Sequence, residues 1–136
     1  MSEENKAVVK RLFDEVTRGN IDAIDTLLSD SFVEHEELPG MPAGKEGVKA
    51  LFGMLRSAFP DLQIAAEHVI GEENLVSAYA TATGTHRGEF MGIPATGKAV
   101  SVHLSDLVRV ENGKITEHWG VMDMAAMMQQ LGAGAP

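Results

Sequence analysis

The spacing of apolar residues changes along the chain, from a helical period before Pro60 to a strand period after it. Apolar residues every three or four positions indicate one face of a helix, whereas strict alternation indicates a strand with one buried face. The predicted helices are residues 3–19, 21–28, 45–59 and 124–131. The predicted strands are a short one at 31–34 and four long ones at 62–70, 75–86, 100–110 and 115–123. Helices followed by strands on short turns predict a single α+β domain over residues 1–136, with helices on the concave face of a curved antiparallel sheet.

The last two strands are predicted to form a long β-hairpin around Asn112-Gly113, because both residues tolerate positive φ. Side chains alternate between the two faces of a strand. One carboxylate therefore falls in an otherwise apolar row, whose members are Val100, Val102, Leu104, Asp106, Val108 and Val110. Burying a charge is costly unless the charge is paired or neutralised. We therefore expect any chemistry to centre on Asp106.

His118, on the second strand of the hairpin, is the first candidate partner of Asp106. Alternation places it on one face with Thr116, Gly120 and Met122, and places on the other face Ile115, Glu117, Trp119 and Val121. Asp106 and His118 lie at similar distances from the turn. They can therefore form an acid/base pair in which the carboxylate orients an imidazole that titrates near neutrality. A buried pair with a structural role only is the alternative.

His35 is the second candidate, because it follows the short strand and precedes a loop rich in proline and glycine. Loops carry functional residues disproportionately, so this position suits a general base at the mouth of a pocket. An exposed loop histidine without function fits the same pattern.

Composition argues against several classes of function. The chain has no cysteine, which excludes disulfides, thiolate nucleophiles and cysteine-based zinc sites. Its five histidines form neither an HxH nor an HExxH motif, so we expect neither a metal nor a cofactor. A net charge of -9 argues against binding of nucleic acid. We also expect a cytoplasmic protein, because no apolar run reaches the ~20 residues of a membrane span and the N-terminus lacks a signal-peptide core.

Three segments of the chain are distinctive: SFVEH, GTHRGEFMGIPATGKAV and DLVRVENGKITEHWGVMD. Together they resemble the SnoaL-like polyketide cyclase and ester cyclase group of the nuclear transport factor two-like superfamily. The resemblance runs from the first helix to Leu131. It implies a cone-shaped sheet wrapped around N-terminal helices, an internal pocket, and a homodimer formed through the outer sheet face. It also implies a small, apolar, carbonyl-bearing ligand and neither a nucleic-acid nor a membrane partner.

The resemblance implies roles for individual residues as well. His35 stands where ketosteroid isomerases of this superfamily carry a proton-abstracting aspartate, and Asp106 where they carry the protonated aspartate of an oxyanion hole. Leu12 stands in place of the isomerase tyrosine, and Leu104 where the epoxide hydrolases carry an arginine, so neither activity is expected. The cyclases carry an acid/base aspartate after the HW pair, where this chain has Gly120.

We therefore expect a pocket protein with cofactor-independent cyclase, isomerase or lyase chemistry on an apolar carbonyl compound. The expected catalytic residues are His35 as base, Asp106 as hydrogen-bond donor or histidine partner, and His118 as acid/base. The expected substrate-binding residues are Phe52, Phe59, Ala80, Leu104, Gly120 and Met122. Two alternatives share the fold: a ligand-binding domain without catalysis, and a dimerisation domain whose cavity is filled by side chains such as the eight methionines.

Overall fold

The computed structural model describes residues 2–36 and 40–132, and in this part of the chain it has four α-helices and five β-strands. The helices are α1 (Ser2–Thr17), α2 (Ile24–Leu27), α3 (Gly44–Ala58) and α4 (Met124–Gln130), with a 3-10 turn at Ile21–Ala23 before α2. The strands are β1 (Leu28–Glu34), β2 (Gln63–Glu72), β3 (Leu75–Thr85), β4 (Ala99–Glu111) and β5 (Lys114–Met122). Every predicted helix and strand is present, and the largest difference is that β1 begins at Leu28 rather than at residue 31. Residues 37–39 of the proline- and glycine-rich loop lie outside the described residues.

The five strands form one curved sheet in the order β1-β5-β4-β3-β2. Four of them are antiparallel neighbours, as predicted, but β1 pairs with β5 in parallel. Parallel neighbours require a long connection between them, and here α3 and the three strands β2, β3 and β4 provide it. Local pattern alone did not predict this pairing, because the partners are far apart in the chain.

The core lies between the inner face of the sheet and the helices. On β3 the buried residues are those of the predicted inner row, Val76, Ala78, Ala80, Ala82 and Gly84. At Gly84 the absent side chain serves close packing, since an added Cβ would lie 2.9 Å from Cβ of Phe59. Phe59 follows α3 and is 1% exposed. The small residues at this end of β3 therefore admit a bulky aromatic residue.

The hairpin turn has the predicted geometry, with φ of 54° at Asn112 and 77° at Gly113. The β4–β5 register shifts between Arg109 and Val110, however, and this shift reverses the alternation next to the turn. Ile115, expected on the outer face, is 1% exposed and belongs to the core. Thr116, expected beside His118, instead donates a hydrogen bond to the carbonyl oxygen of Arg109. A bulge, which periodicity does not reveal, corrects both assignments.

Asp123 is the predicted N-cap of the last helix, and this prediction is confirmed. Its side chain accepts a hydrogen bond from the backbone N–H of Ala126 at 3.0 Å. None of the described helices is both long and apolar enough to cross a membrane.

Candidate active site

Three ionisable side chains from three neighbouring strands meet on the inner face of the sheet. His118 of β5 lies between Glu34 of β1 and Asp106 of β4. Its Nδ1 atom is 2.7 Å from Oε2 and 2.8 Å from Oε1 of Glu34, and its Nε2 atom is 2.7 Å from Oδ1 of Asp106. The three side chains are 15% (Glu34), 24% (His118) and 19% (Asp106) exposed. We refer to them as the Glu34–His118–Asp106 cluster.

The strand registers explain why these residues meet. The parallel pairing places Glu34 opposite His118. The antiparallel pairing places Asp106 opposite Gly120, so Asp106 reaches His118 diagonally across the hairpin. Diagonal neighbours in a sheet lie within reach of long and aromatic side chains. The expected contact between Asp106 and His118 is therefore present, through this diagonal geometry.

His118 is a cation at neutral pH. Burial is the largest influence on its pKa and lowers it, because the charged ring loses water. The hydrogen bonds and negative charges of Asp106 and Glu34 act in the opposite direction and together raise the pKa from 6.5 to about 10. The sequence had led us to expect a ring that titrates near neutrality, and this expectation is wrong for a pKa of about 10. Both of its nitrogens carry protons, and both donate to carboxylate oxygens.

The two carboxylates differ in the atoms they leave available. Both oxygens of Glu34 face Nδ1 of His118, whereas Asp106 contacts the ring through Oδ1 alone. Among the hydrogen bonds of the described residues, none reaches Oδ2 of Asp106. Because Asp106 accepts the Nε2 proton, its geometry is that of a histidine partner rather than that of a hydrogen-bond donor. Oδ2 of Asp106 is the atom of the cluster best placed to accept a proton from a ligand.

His35 lies on the outer face of the sheet, opposite the cluster. Its ring stacks on Trp119, with centroids 4.5 Å apart and planes 6° apart. Its Nε2 atom is 2.9 Å from Oε2 of Glu117, whose Oε1 accepts a hydrogen bond from Arg109. The hydrogen bond from His35 is the main cause of a lowered pKa of the Glu117 carboxyl group. His35 does not converge with Asp106 and His118 on one site, contrary to expectation.

Glu34 is the residue of the cluster that the sequence analysis missed. It stands directly before His35 in the SFVEH segment, in which the sequence pattern favoured the histidine as the functional residue. Strand alternation carries a signal that could have found it. Phe32 is apolar and buried, so Glu34, two positions later, must share its inward face. His35 must then point outward.

The predicted substrate-binding residues separate into two groups. Leu104, Gly120 and Met122 lie on the inner face next to the cluster, where Leu104 pairs with Met122 and Gly120 with Asp106. Phe52 is half-buried on α3. By contrast, Ala80 and Phe59 are 0% and 1% exposed, so both belong to the packed core and offer no surface to a ligand.

A shallow groove of about 460 Å³ opens on the other side of the sheet, near the β4–β5 turn. Its lining is mostly polar and consists of Ser29, Ser31, Val33, Glu111, Asn112, Lys114, Thr116 and Glu117. None of the cluster residues lines this groove. We place the candidate active site at the Glu34–His118–Asp106 cluster, because mutually hydrogen-bonded ionisable groups around a histidine of strongly raised pKa indicate function better than an open surface depression.

Comparison with known proteins identifies the family. Residues 7–131 match the model of the SnoaL-like polyketide cyclase family. The chain belongs to this family. The α+β fold and the resemblance expected from the sequence are both confirmed.

Curated relatives and solved structures extend this assignment. Nogalonic acid methyl ester cyclase of Streptomyces nogalater is 29% identical over 117 residues, covering 84% of this chain and 87% of that protein. Aklanonic acid methyl ester cyclase DnrD of Streptomyces peucetius is 29% identical over 133 residues, covering 95% and 91%. The crystal structure of AclR, a proposed hydroxylase of Streptomyces galilaeus, has a TM-score of 0.88 at 32% identity and covers 100% of both chains. Polyketide cyclases are therefore among the homologues of this SnoaL-like protein.

Proposed function

We propose that this protein is a cofactor-independent cyclase that closes a ring in a small polyketide-like carbonyl compound. The observation that carries the proposal is the Glu34–His118–Asp106 cluster on the inner face of the sheet. The substrate class comes from the relatives, two of which are cyclases of the methyl esters of nogalonic and aklanonic acid.

Asp106 acts as the general base in this mechanism. Its Oδ2 atom accepts a proton from a carbon next to a carbonyl group, and the C–H electron pair forms an enolate. The enolate carbon then attacks a second carbonyl carbon of the same molecule, which forms the new C–C bond. As that bond forms, the π bond of the second carbonyl breaks and its electron pair moves to the oxygen. The oxygen then receives the proton back from Asp106. Atoms and electrons balance without an oxidant, a reductant or a cofactor.

His118 and Glu34 hold the base and supply charge. The imidazolium fixes Oδ1 of Asp106 and so leaves Oδ2 directed away from the ring. Its positive charge also favours the negative charge that develops on an enolate nearby, in a site where burial strengthens electrostatic effects. Glu34 holds the other side of the ring and keeps it protonated.

The ligand is proposed to occupy a cleft between α3 and the inner face of β4 and β5. Several apolar residues there are half-buried rather than buried, as a cleft would leave them. On α3 these are Val48, Leu51, Phe52 and Met54, and on β5 the corresponding residue is Met122. Such a lining, with a few polar groups at one place, suits a small apolar compound.

Turnover of a polyketide methyl ester tests the function. With aklanonic acid methyl ester as the probe, we expect a ring-closed product of unchanged mass but different chromatographic retention. Binding of this ester without turnover would instead support a non-catalytic ligand-binding domain. Gly120, where the resemblance to the cyclases led us to expect an acid/base aspartate, favours this second candidate.

We also propose a homodimer through the outer face of the sheet. Tyr79, Leu107 and Val121 lie on this face and are 40%, 37% and 68% exposed. Adjacent apolar residues of this size on a sheet face are typical of an interaction surface.

A further inference from the structure

Gly120 lies in the interior of β5, where a glycine needs an explanation. Glycine inside a strand weakens it and often marks a place where other atoms approach closely. The backbone conformation does not require it, because Gly120 is not among the described glycines with positive φ. The reason must lie in the space above its Cα atom.

That space is occupied by the contact between Asp106 and His118. A Cβ atom at position 120 would lie 2.5 Å from Nε2 and 2.6 Å from Cε1 of His118, and closer still to Oδ1 of Asp106. Real Cβ atoms essentially never approach other heavy atoms within 3.0 Å. Any side chain at position 120 therefore collides with the two groups that form the hydrogen bond.

Both groups that a side chain at position 120 would meet are held in place by their neighbours. Asp106 stands directly opposite Gly120 on the neighbouring strand. The ring of His118 is held at both nitrogens, by Glu34 on one side and by Asp106 on the other. Even a methyl group at position 120 therefore requires the Asp106 carboxylate, the His118 ring or both to shift from their present positions.

We propose that Gly120 is a positioning residue of the active site. Its missing side chain leaves the gap in which Asp106 and His118 join. The part of this inference that concerns proton transfer rests on the proposed function. The part that concerns the Asp106–His118 bond does not.

The pKa of His118, followed by NMR of its ring nitrogens, tests the structural part. Loss of one adjacent negative charge shifts a pKa by about 1–3 units. In Gly120→Ala we therefore expect the pKa of His118 to fall by at least one unit. The matched control is Gly53→Ala on α3, where an added Cβ meets no atom within 4 Å and the pKa of His118 should not change. An unchanged pKa in Gly120→Ala would overturn the inference.

Kinetics of Gly120→Asp test the catalytic part. This variant places a carboxylate at position 120, next to His118, but fills the gap. We expect kcat to fall about 100-fold or more with little change in KM, as for loss of a general base. Activity equal to wild type would show that a carboxylate at position 120 can serve and would contradict the proposal. If the wild-type protein shows no turnover, the proposed function fails, while the NMR experiment still decides the role of Gly120.

A double substitution covers the case in which Gly120→Ala folds but is too unstable for the NMR titration. Asp106→Ala removes one of the two groups that the new Cβ would meet, and the His118 ring remains. We expect Gly120→Ala to lower the urea midpoint strongly in the wild-type background and much less in the Asp106→Ala background. Equal decreases in both backgrounds would mean that Gly120 makes no room for Asp106 and would overturn the inference.

Discussion

At the scale of single residues, both ring nitrogens of His118 form hydrogen bonds within the cluster. Both N–H groups donate to carboxylates, so the ring keeps no lone pair with which to take a proton or bind a metal. Asp106 is therefore the proposed proton acceptor, because its Oδ2 atom makes no hydrogen bond to His118. A histidine that sequence reasoning favours as a base is, in this setting, a fixed cation.

Asp106→Asn tests that division of roles. The amide keeps the size of the side chain but cannot accept a proton, so we expect kcat to fall by about 10²–10⁴-fold with a small change in KM. Steady-state kinetics with the methyl ester probe measure the effect. Asp14→Asn, an exposed position on α1, is the matched control and should behave as wild type. Wild-type kcat in Asp106→Asn would remove Asp106 from the mechanism.

The raised pKa of His118 predicts how stability depends on pH. Its pKa is 6.5 when unfolded and about 10 when folded, so the stabilisation is complete below pH 6.5, declines as pH rises and is absent above pH 10. At about 1.4 kcal/mol per pKa unit, the effect is on the order of a few kcal/mol. Urea unfolding between pH 7 and pH 10 should show a falling free energy of unfolding. His118→Gln should flatten that slope, and His68→Gln should leave it unchanged.

At the scale of secondary structure, the pairing of β1 with β5 brings the cluster together. It is secured on both faces of the sheet, by Glu34 with His118 inside and by His35 with Glu117 and Trp119 outside. A backbone hydrogen bond from the His35 N–H to the His118 carbonyl oxygen, 3.0 Å long, joins the same two strands. His35 thus helps to hold the strand that carries Glu34.

His35→Ala distinguishes this holding role from a role as base. Partly exposed ion pairs and aromatic contacts each contribute about 1 kcal/mol or less, so we expect a loss of stability of about 1 kcal/mol. The pH–rate profile should keep its shape, since no proton passes through His35. A fall in kcat as large as that of Asp106→Asn, together with a lost limb of the profile, would restore His35 as the base. His68→Ala on β2 serves as the control histidine.

At the scale of the whole molecule, the two faces of the sheet have different characters. The inner face carries the core and the half-buried Glu34–His118–Asp106 cluster, whereas the outer face carries exposed apolar residues and partly exposed ion pairs. The proposed catalysis belongs to the first face and the proposed dimer to the second. Substitutions on one face should therefore leave the function of the other largely intact.

Val121→Asp tests the outer face. Val121 is 68% exposed, and a charge there is costly only where a partner would cover it. We expect a wild-type dimer and a mutant monomer in sedimentation analysis. Met91→Asp, at a loop residue that is 58% exposed, should leave the dimer unchanged. A monomeric wild type, or a dimer that survives Val121→Asp, would rule out this interface.

The sequence alone determined the helices and strands and one of the two contacts of the cluster, that between Asp106 and His118. These features depend on residues that are close together in the chain. The change of period at Pro60 marks the start of the four long strands, and Asn112-Gly113 fixes the hairpin. The hairpin in turn brings Asp106 and His118, twelve residues apart, to the same end of two paired strands. These signals predicted the α+β fold, and the resemblance of three segments predicted the SnoaL-like family.

Only the tertiary structure decided the other contact of the cluster, that between Glu34 and His118. Glu34 and His118 are 84 residues apart in the chain. Their contact depends on the parallel pairing of β1 with β5, which is stabilised by packing of the whole domain and is not specified by either segment alone. The bulge that turns Ile115 inward is likewise a property of two paired strands. Gly120 looked like the loss of a catalytic carboxylate in the sequence. Once the strands are placed, it is the space in which another carboxylate meets its histidine.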